Sequence, residues 1–202
     1  MANPTLSSAR NEQPDGAARR VAVLNGSLRR DSYNHLLALA IAKLLPAEFV
    51  VQHIRIDDLP LYNQDDDRDM TPPAQRLKRE IEAADALLFV TPEYNRSIPG
   101  VLKNAIDIAS RPYGRNSFAG KPAGIVGISI GAVGTAVAQQ HLRGVLAYLD
   151  VPALAQPEVF LRYTEGMLDA RGDIHNDSTR SFLQGWVDAY VGWLEAVPAR
   201  RR

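Results

Sequence analysis

Three short stretches of this sequence concentrate groups able to hold or orient a small molecule. The first is Asn25-Gly26-Ser27-Leu28-Arg29-Arg30-Asp31-Ser32-Tyr33-Asn34. Hydroxyls at Ser27 and Ser32, the Asn34 amide and the Arg29 guanidinium can surround the oxygens of an anion such as phosphate. Main-chain N–H groups at the start of a helix attract the same charge. The stretch is not a Walker A loop, which needs G-x-x-x-x-G-K-[ST], and it lacks two of the three glycines of G-x-G-x-x-G. An ordinary turn with Ser32 or Asn34 capping a helix is the plainer alternative.

The second stretch is Thr91-Pro92-Glu93-Tyr94-Asn95-Arg96-Ser97-Ile98-Pro99-Gly100, continuing as Val101-Leu102-Lys103-Asn104-Ala105-Ile106-Asp107. Two prolines stiffen it, so its main-chain groups can face the edge of a flat heteroaromatic ring from fixed positions, and Tyr94 offers a contact face. An isoalloxazine suits such a loop. In the alternative, Tyr94 merely packs and Lys103 with Asp107 is an i,i+4 surface pair. The third stretch, Ser129-Ile130-Gly131-Ala132-Val133-Gly134, brings small residues and main-chain amides to the same edge, although a glycine after a strand is more often a turn requirement than a ligand contact.

Other chemistry has little support. His35, His53, His141 and His175 show no ligand spacing such as H-E-x-x-H, and Asp65, Asp66 and Asp67 do not follow an EF-hand pattern, so no metal site is expected. There is no cysteine, which removes disulfides, thiolate nucleophiles and zinc-thiolate sites together. Asp57 and Asp58 follow a strand where a dinucleotide fold keeps its ribose-binding acid, but without the glycine fingerprint they read as a polar strand end. No catalytic acid or base is assigned.

Elements that position these stretches alternate along the chain, as in a parallel sheet covered by helices on both faces. Strands are predicted at Val21–Leu24, Phe49–Ile56, Ala86–Thr91, Ala123–Ile130 and Pro152–Phe160. Between them, Asn34–Leu45 carries Leu36, Leu37, Ala40, Ile41 and Leu44 on one helical stripe, and Thr71 caps a helix with Leu77, Ile81 and Ala84 inward. Helices from Pro99 to about Ser110 and from Thr135 to Leu149 follow. The last, Thr179–Val197, places Phe182, Trp186, Tyr190 and Trp193 along one side. Five strands with crossover helices predict a flavodoxin-like α/β three-layer sandwich of order 2-1-3-4-5, with its ligand crevice beyond the carboxyl ends of the strands. All three stretches fall at that edge.

With 202 residues and 46% hydrophobic side chains, the chain holds one such domain, predicted over residues 21–197. Residues 1–20 read as a disordered polar tail, and 198–202 as a basic end. The 23 basic and 23 acidic residues balance, which points away from nucleic acid and from a strongly acidic electron carrier. Arg19 and Arg20 lack the apolar stretch of an export signal, and no window reaches membrane-span length, so a cytoplasmic setting is expected.

Together GSLRRDSYN after the first strand, PEYNRSIPGVLKNAID after the third and AGKPAGIVGIS leading into the fourth resemble the NADPH-dependent FMN reductase family, in particular its chromate and quinone reductase branch. The resemblance runs from about Val21 to Phe160. It implies tightly held FMN, NADPH or NADH as donor, and ping-pong transfer to small-molecule acceptors: quinones, flavins or oxidised metal anions such as chromate. By motif position, Ser27, Arg29, Ser32 and Asn34, with Leu28 and Tyr33 in the same loop, would hold the FMN phosphate end. Pro92, Glu93, Tyr94 and Asn95 would contact ribityl and ring, with Ser129 and Gly131 at the ring's other side. Arg96 stands at a variable position, either favouring anionic acceptors or the NADPH phosphate, or simply solvated. A homodimer or homotetramer is implied. A flavodoxin-type carrier without NAD(P)H oxidation is the main rival. A receiver domain would need acids where Leu24-Asn25 and Thr91-Pro92 stand, and a nucleotide-binding protein using the first loop alone would need the missing lysine and glycines.

Overall fold

A computed structural model describes residues 18–197 and 199. Its element order is β1 (Arg19–Asn25), α1 (Tyr33–Leu44), β2 (Phe49–His53), a short 3-10 helix (Gln64–Arg68), α2 (Pro72–Glu82), β3 (Ala86–Val90), α3 (Gly100–Ala109), β4 (Ala123–Ser129), α4 (Ala136–Tyr148), β5 (Val159–Arg162) and α5 (Asp177–Ala196). The five strands form one parallel sheet in the order β2-β1-β3-β4-β5, as the alternation of elements predicts. Between β1 and β3 the chain order reverses its direction across the sheet, which places the switch point beside Asn25 and Val90, a register pair.

Why these segments become central strands is plain from their burial. All five residues of β3, and six of the seven in β4, are inaccessible on both faces, as continuous apolar runs demand. Helices α1 and α5 cover one side around Leu37, Ile41, Leu183 and Trp186. Helices α2, α3 and α4 cover the other around Leu77, Ile81, Leu102 and Leu142. Each such fully buried side chain contributes roughly 1.5–3 kcal/mol relative to exposure. Gly124 in β4 makes room for the stacked rings of Trp186 and Tyr190, since a Cβ there would come within 2.8 Å of the Trp186 ring. The Tyr190 hydroxyl donates to the Leu87 carbonyl at 2.8 Å, and burial pushes its phenol pKa up.

Several local expectations change. β1 begins at Arg19, so these arginines open a strand rather than close a tail; residues 1–17 of the expected tail, and 198 and 200–202 of the basic end, lie outside the described residues. β2 stops at His53, although the Ile54 N–H still bonds the Val23 carbonyl at 2.9 Å. The predicted fifth strand is displaced: Ala153 makes an isolated bridge to Ala123, and the strand proper is Val159–Arg162. The predicted segment is short and contains Pro152 and Pro157, which supply no N–H to a ladder. Thr71 does occupy the cap position of α2, but its side chain makes no capping bond. α5 starts at Asp177 under an Asn176 cap, and its buried stripe runs through Leu183, Trp186, Val187, Tyr190 and Leu194, with Phe182 exposed.

Candidate functional site

The first loop leaves β1 at Asn25, whose side-chain oxygen accepts the Ser27 N–H at 3.1 Å and turns the chain. Gly26 sits tightly here. A Cβ on it would press Leu102 and the Thr91 hydroxyl at 3.2–3.3 Å. Ser32 caps α1 through its hydroxyl, which accepts the His35 N–H at 3.2 Å. Asn34 is buried, and both ends of its amide bind β4: Nδ2 donates to the Ile128 carbonyl at 2.9 Å and Oδ1 accepts the Ile128 N–H at 3.1 Å. Asn34 therefore serves first as the tie between the start of α1 and the end of β4. Arg29 lies with its guanidinium carbon 4.7 Å from the centroid of the Tyr33 ring, a cation–π contact. Tyr33 in turn stacks on Tyr163, with ring centroids 3.7 Å apart and planes inclined by 19°.

The second loop folds into a two-residue hairpin that the sequence did not announce. Tyr94 and Ser97 exchange both main-chain hydrogen bonds at 3.0 Å, and the central residues Asn95 and Arg96 have φ of 52° and 64°. Both signs match a type I′ turn, for which asparagine is a preferred first residue and glycine, not arginine, the usual second. Arg96 therefore stands at the tip in a backbone conformation that costs about 1 kcal/mol. Its guanidinium reaches Glu93 Oε1 at 3.3 Å. The other Glu93 oxygen accepts the N–H groups of Val137 and Ala138 at 3.0 and 3.1 Å. Thr135, the cap residue of α4, makes no side-chain capping bond, because its hydroxyl accepts from Gln139 Nε2 at 2.8 Å. Glu93 supplies the missing cap from another loop, and its charge suits the positive end of α4.

Ser129 shapes the third loop. Its hydroxyl donates to the Gly134 carbonyl at 2.7 Å and accepts the Gly131 N–H at 3.1 Å. Gly134, at φ 62°, presses on β5, where an added Cβ would come within 2.9 Å of the Phe160 carbonyl carbon. Gly131 is open by contrast: a Cβ there would meet only Ser129 Oγ, at 3.6 Å. Pro92 is buried behind Thr91, whose hydroxyl donates to the Pro92 carbonyl at 2.8 Å.

Thus the structure brings the three loops to one sheet edge and cross-links them through Asn34 to Ile128 and through Glu93 to α4. Leu28, Tyr94, Ile130 and Val133 rise from these loops with 54%, 51%, 71% and 45% of their surface exposed. Apolar side chains raised from three loops at one edge are what a bound flat ring would cover. The exposed Arg29 and the hydroxyl-bearing turn before α1 fit the anionic tail of the same molecule. The residues present therefore fit a flavin mononucleotide. Sequence reasoning missed Tyr163, Thr135 and Gly127. Tyr163 gave no signal because it lies after a weak strand. Gly127 was hidden inside a strand, where a Cβ would lie 2.1 Å from Thr135 Oγ1 and 2.4 Å from the Thr91 carbonyl oxygen.

Asp57 pairs with Arg55 at 2.7 Å and Asp58 with Arg76 at 2.8 Å, in keeping with a polar strand end. Lys103 and Asp107 form the i,i+4 surface pair of the alternative reading, at 2.8 Å, whereas Tyr94 of that reading is half exposed rather than packed. Among the described residues there is no group of three or more metal-ligating side chains, and no helix is long and apolar enough to cross a membrane.

Comparison with known proteins adds a consistent set of matches. The family model described as NADPH-dependent FMN reductase matches residues 19–166. A 2-hydroxy-1,4-benzoquinone reductase of Burkholderia sp is 52% identical over 177 residues, covering 88% of this chain and 97% of that protein. A quinone reductase of Pseudomonas putida is 45% identical, covering 87% and 94%. Among solved structures, the flavoenzyme NAD(P)H:(acceptor) oxidoreductase FerB of Paracoccus denitrificans superposes with a TM-score of 0.86 at 44% identity, covering 89% of this chain and 99% of that one.

Proposed function

Because the chain belongs to the NADPH-dependent FMN reductase family, we propose that it reduces quinones with electrons from NADPH or NADH, using FMN held across the three loops. When bound, FMN supplies the chemistry, accepting hydride from the nicotinamide and passing two electrons to the acceptor. The protein's task is binding and orientation. Ser27, Arg29 and Ser32 hold the phosphate, with Leu28 and Tyr33 beside it and Asn34 fixing the start of α1 against β4. Tyr94 and Asn95, with main-chain groups of Pro92 and Glu93, would line the ribityl and ring, and Ser129 and Gly131 would line it from the third loop.

The observation that carries this reading is the apolar rim of Leu28, Tyr94, Ile130 and Val133 with the cationic Arg96 at the hairpin tip. With those side chains covered by the flavin ring, Arg96 is the feature that bears on the acceptor, and its charge suits a flat molecule carrying a negative oxygen. The Burkholderia relative is named for 2-hydroxy-1,4-benzoquinone, an acid that is anionic at neutral pH, and we assign this class of acceptor to the present chain. Chromate and free flavin phosphate share the anionic feature and belong to the same reading as poorer-fitting acceptors. Donor and acceptor would use the bound flavin in turn, in ping-pong order. A homodimer or homotetramer working in the cytoplasm, where reduced nicotinamide is regenerated, completes the proposal.

The test is an anaerobic titration of the purified protein in a single cuvette. Flavin absorption that bleaches on NADPH and returns on 2-hydroxy-1,4-benzoquinone is the expected result. Colourless protein that takes up no added FMN would overturn it.

A further inference from the structure

After β5 the chain crosses α1 as a strap, residues 163–176. Gly172 lies directly on the helix at φ 76°, where a Cβ would come within 2.6 Å of Leu39 Cβ and 2.9 Å of the Ala40 nitrogen. Lys43 of α1 binds Asp173 at 2.6 Å. Within the strap, Asp169 accepts the N–H groups of Arg171 and Asp173 at 2.8 and 2.9 Å, and Leu168 bridges Ile174. These contacts set the strap's place without help from a ligand. At its first residue, the Tyr163 N–H donates to the Ser129 carbonyl at 2.8 Å, and the ring lies flat on Tyr33 at 3.7 Å. Arg29 in turn lies over Tyr33 at 4.7 Å.

We infer that Tyr163 is a positioning residue for the cofactor phosphate: it buttresses Tyr33, whose ring holds the Arg29 guanidinium at the mouth of the first loop before the ligand arrives. The inference rests on the reading of Arg29 as a phosphate ligand. A solvated arginine samples many rotamers, and a guanidinium already resting on an aromatic face has less freedom to lose when it binds an anion. Tyr33 can offer that face steadily because its own ring is clamped against a second ring from a separate, anchored segment. The strap thus contributes to a binding loop far away in sequence, and Tyr163 also touches the third loop through Ser129. No step of electron transfer passes through it.

Two flavins separate this role from a general structural one. FMN and riboflavin share the ring and ribityl chain, and only FMN carries the phosphate. Apoprotein affinities for both, read from quenching of flavin fluorescence, are measured for the wild type and for Tyr163→Ala, Tyr163→Leu, Tyr163→Phe, Arg29→Ala and the Arg29→Ala/Tyr163→Ala pair. Tyr163→Leu keeps apolar bulk without an aromatic face, so it answers the question if the alanine variant folds poorly. Tyr163→Ala and Tyr163→Leu should weaken FMN by roughly three- to tenfold, the scale of a lost cation–π contact with its preorganisation. Riboflavin affinity should stay unchanged, Tyr163→Phe should match the wild type, and Tyr163→Ala should add nothing in the Arg29→Ala background. Equal weakening of both flavins, a full effect without Arg29, or no effect at all overturns the inference while leaving the proposed function standing. Wild-type apoprotein that takes up neither flavin removes both.

Discussion

Asn34 and Ile128 are joined at two points, the buried side-chain amide of one reading the N–H and C=O of the other as a neighbouring strand would. The pair locks the start of α1, and with it the first loop, to the strand that ends in the third. Asn34→Leu removes both bonds and leaves two buried main-chain groups without partners, for a cost of about 2–4 kcal/mol. Urea unfolding of the apoprotein measures it. Asn34→Asp should also destabilise, because it sets a second oxygen against the Ile128 carbonyl. Either variant retaining wild-type stability would show that the tie contributes little.

Glu93 and Arg96 make separable predictions. Glu93→Ala uncovers the N-terminus of α4 and should cost about 1–2 kcal/mol, as loss of a helix cap does. Arg96→Gly relieves a positive φ and should raise stability by up to about 1 kcal/mol, while increasing KM for an anionic quinone more than it lowers kcat. Arg96→Ala should show the same kinetic change without the gain in stability. Kinetics unchanged with anionic quinone, chromate and NADPH alike would return Arg96 to a solvated arginine.

Gly127 and Gly185 are a contrasting pair. An alanine at 127 drives its methyl into Thr135 Oγ1 and, more seriously, into the Thr91 carbonyl oxygen, a backbone atom that no rotamer change can move. About 3 kcal/mol or more should be lost, on the scale of severe overpacking, together with displacement of the second loop. Gly185 lies inside α5 with nothing within 4 Å of an added Cβ, so Gly185→Ala should stabilise by about 0.5–1 kcal/mol. Thermal melts of the two variants should move in opposite directions.

The strap has an acid limit. The Asp169 carboxyl is held down to about 2 from 3.8, first by the N–H of Asp173 and further by those of Arg171 and the ring of His175. A folded pKa below the unfolded one contributes stability that is full above 3.8 and is lost as pH falls toward about 2. Protection factors of amides in residues 163–176, taken relative to the intrinsic exchange rate at each pH, should therefore fall over that acid window before the sheet opens. Asp169→Asn should lack this dependence; a strap whose protection factors in that variant still fall across the same window would refute the assignment.

Much of this molecule was legible in its sequence. The alternation of short β-branched runs with longer helical stripes specified the element order, and a parallel sheet follows from it because consecutive parallel strands need covering crossovers. The place of the three loops at the carboxyl edge was legible too, since each follows a strand of a parallel sheet, but the Ser32 hydroxyl and the Asn34 amide are used in capping α1 and in tying it to β4. Thr71 and Phe182 show the limit of local signals. Cap preference and helical period placed them correctly along the chain, yet neither specifies which partner the fold presents.

What the tertiary structure alone decided are the contacts made across long sequence separations. The Glu93 carboxylate became a helix cap because Thr135 spends its hydroxyl on Gln139. The Asn34 amide turned to β4 because a buried amide must satisfy donor and acceptor together, and Ile128 offers both. Tyr163 reached Tyr33 because the pairing of β5 with β4 continues through the Tyr163 N–H to the Ser129 carbonyl, which sets the residue beside the start of α1. Periodicity and composition act over a turn of helix or a strand's length, so they determine elements and their order. Hydrogen-bond saturation and packing act between segments that meet only once the chain is folded, and they determine which of the candidate residues face a ligand and which hold the loops in place.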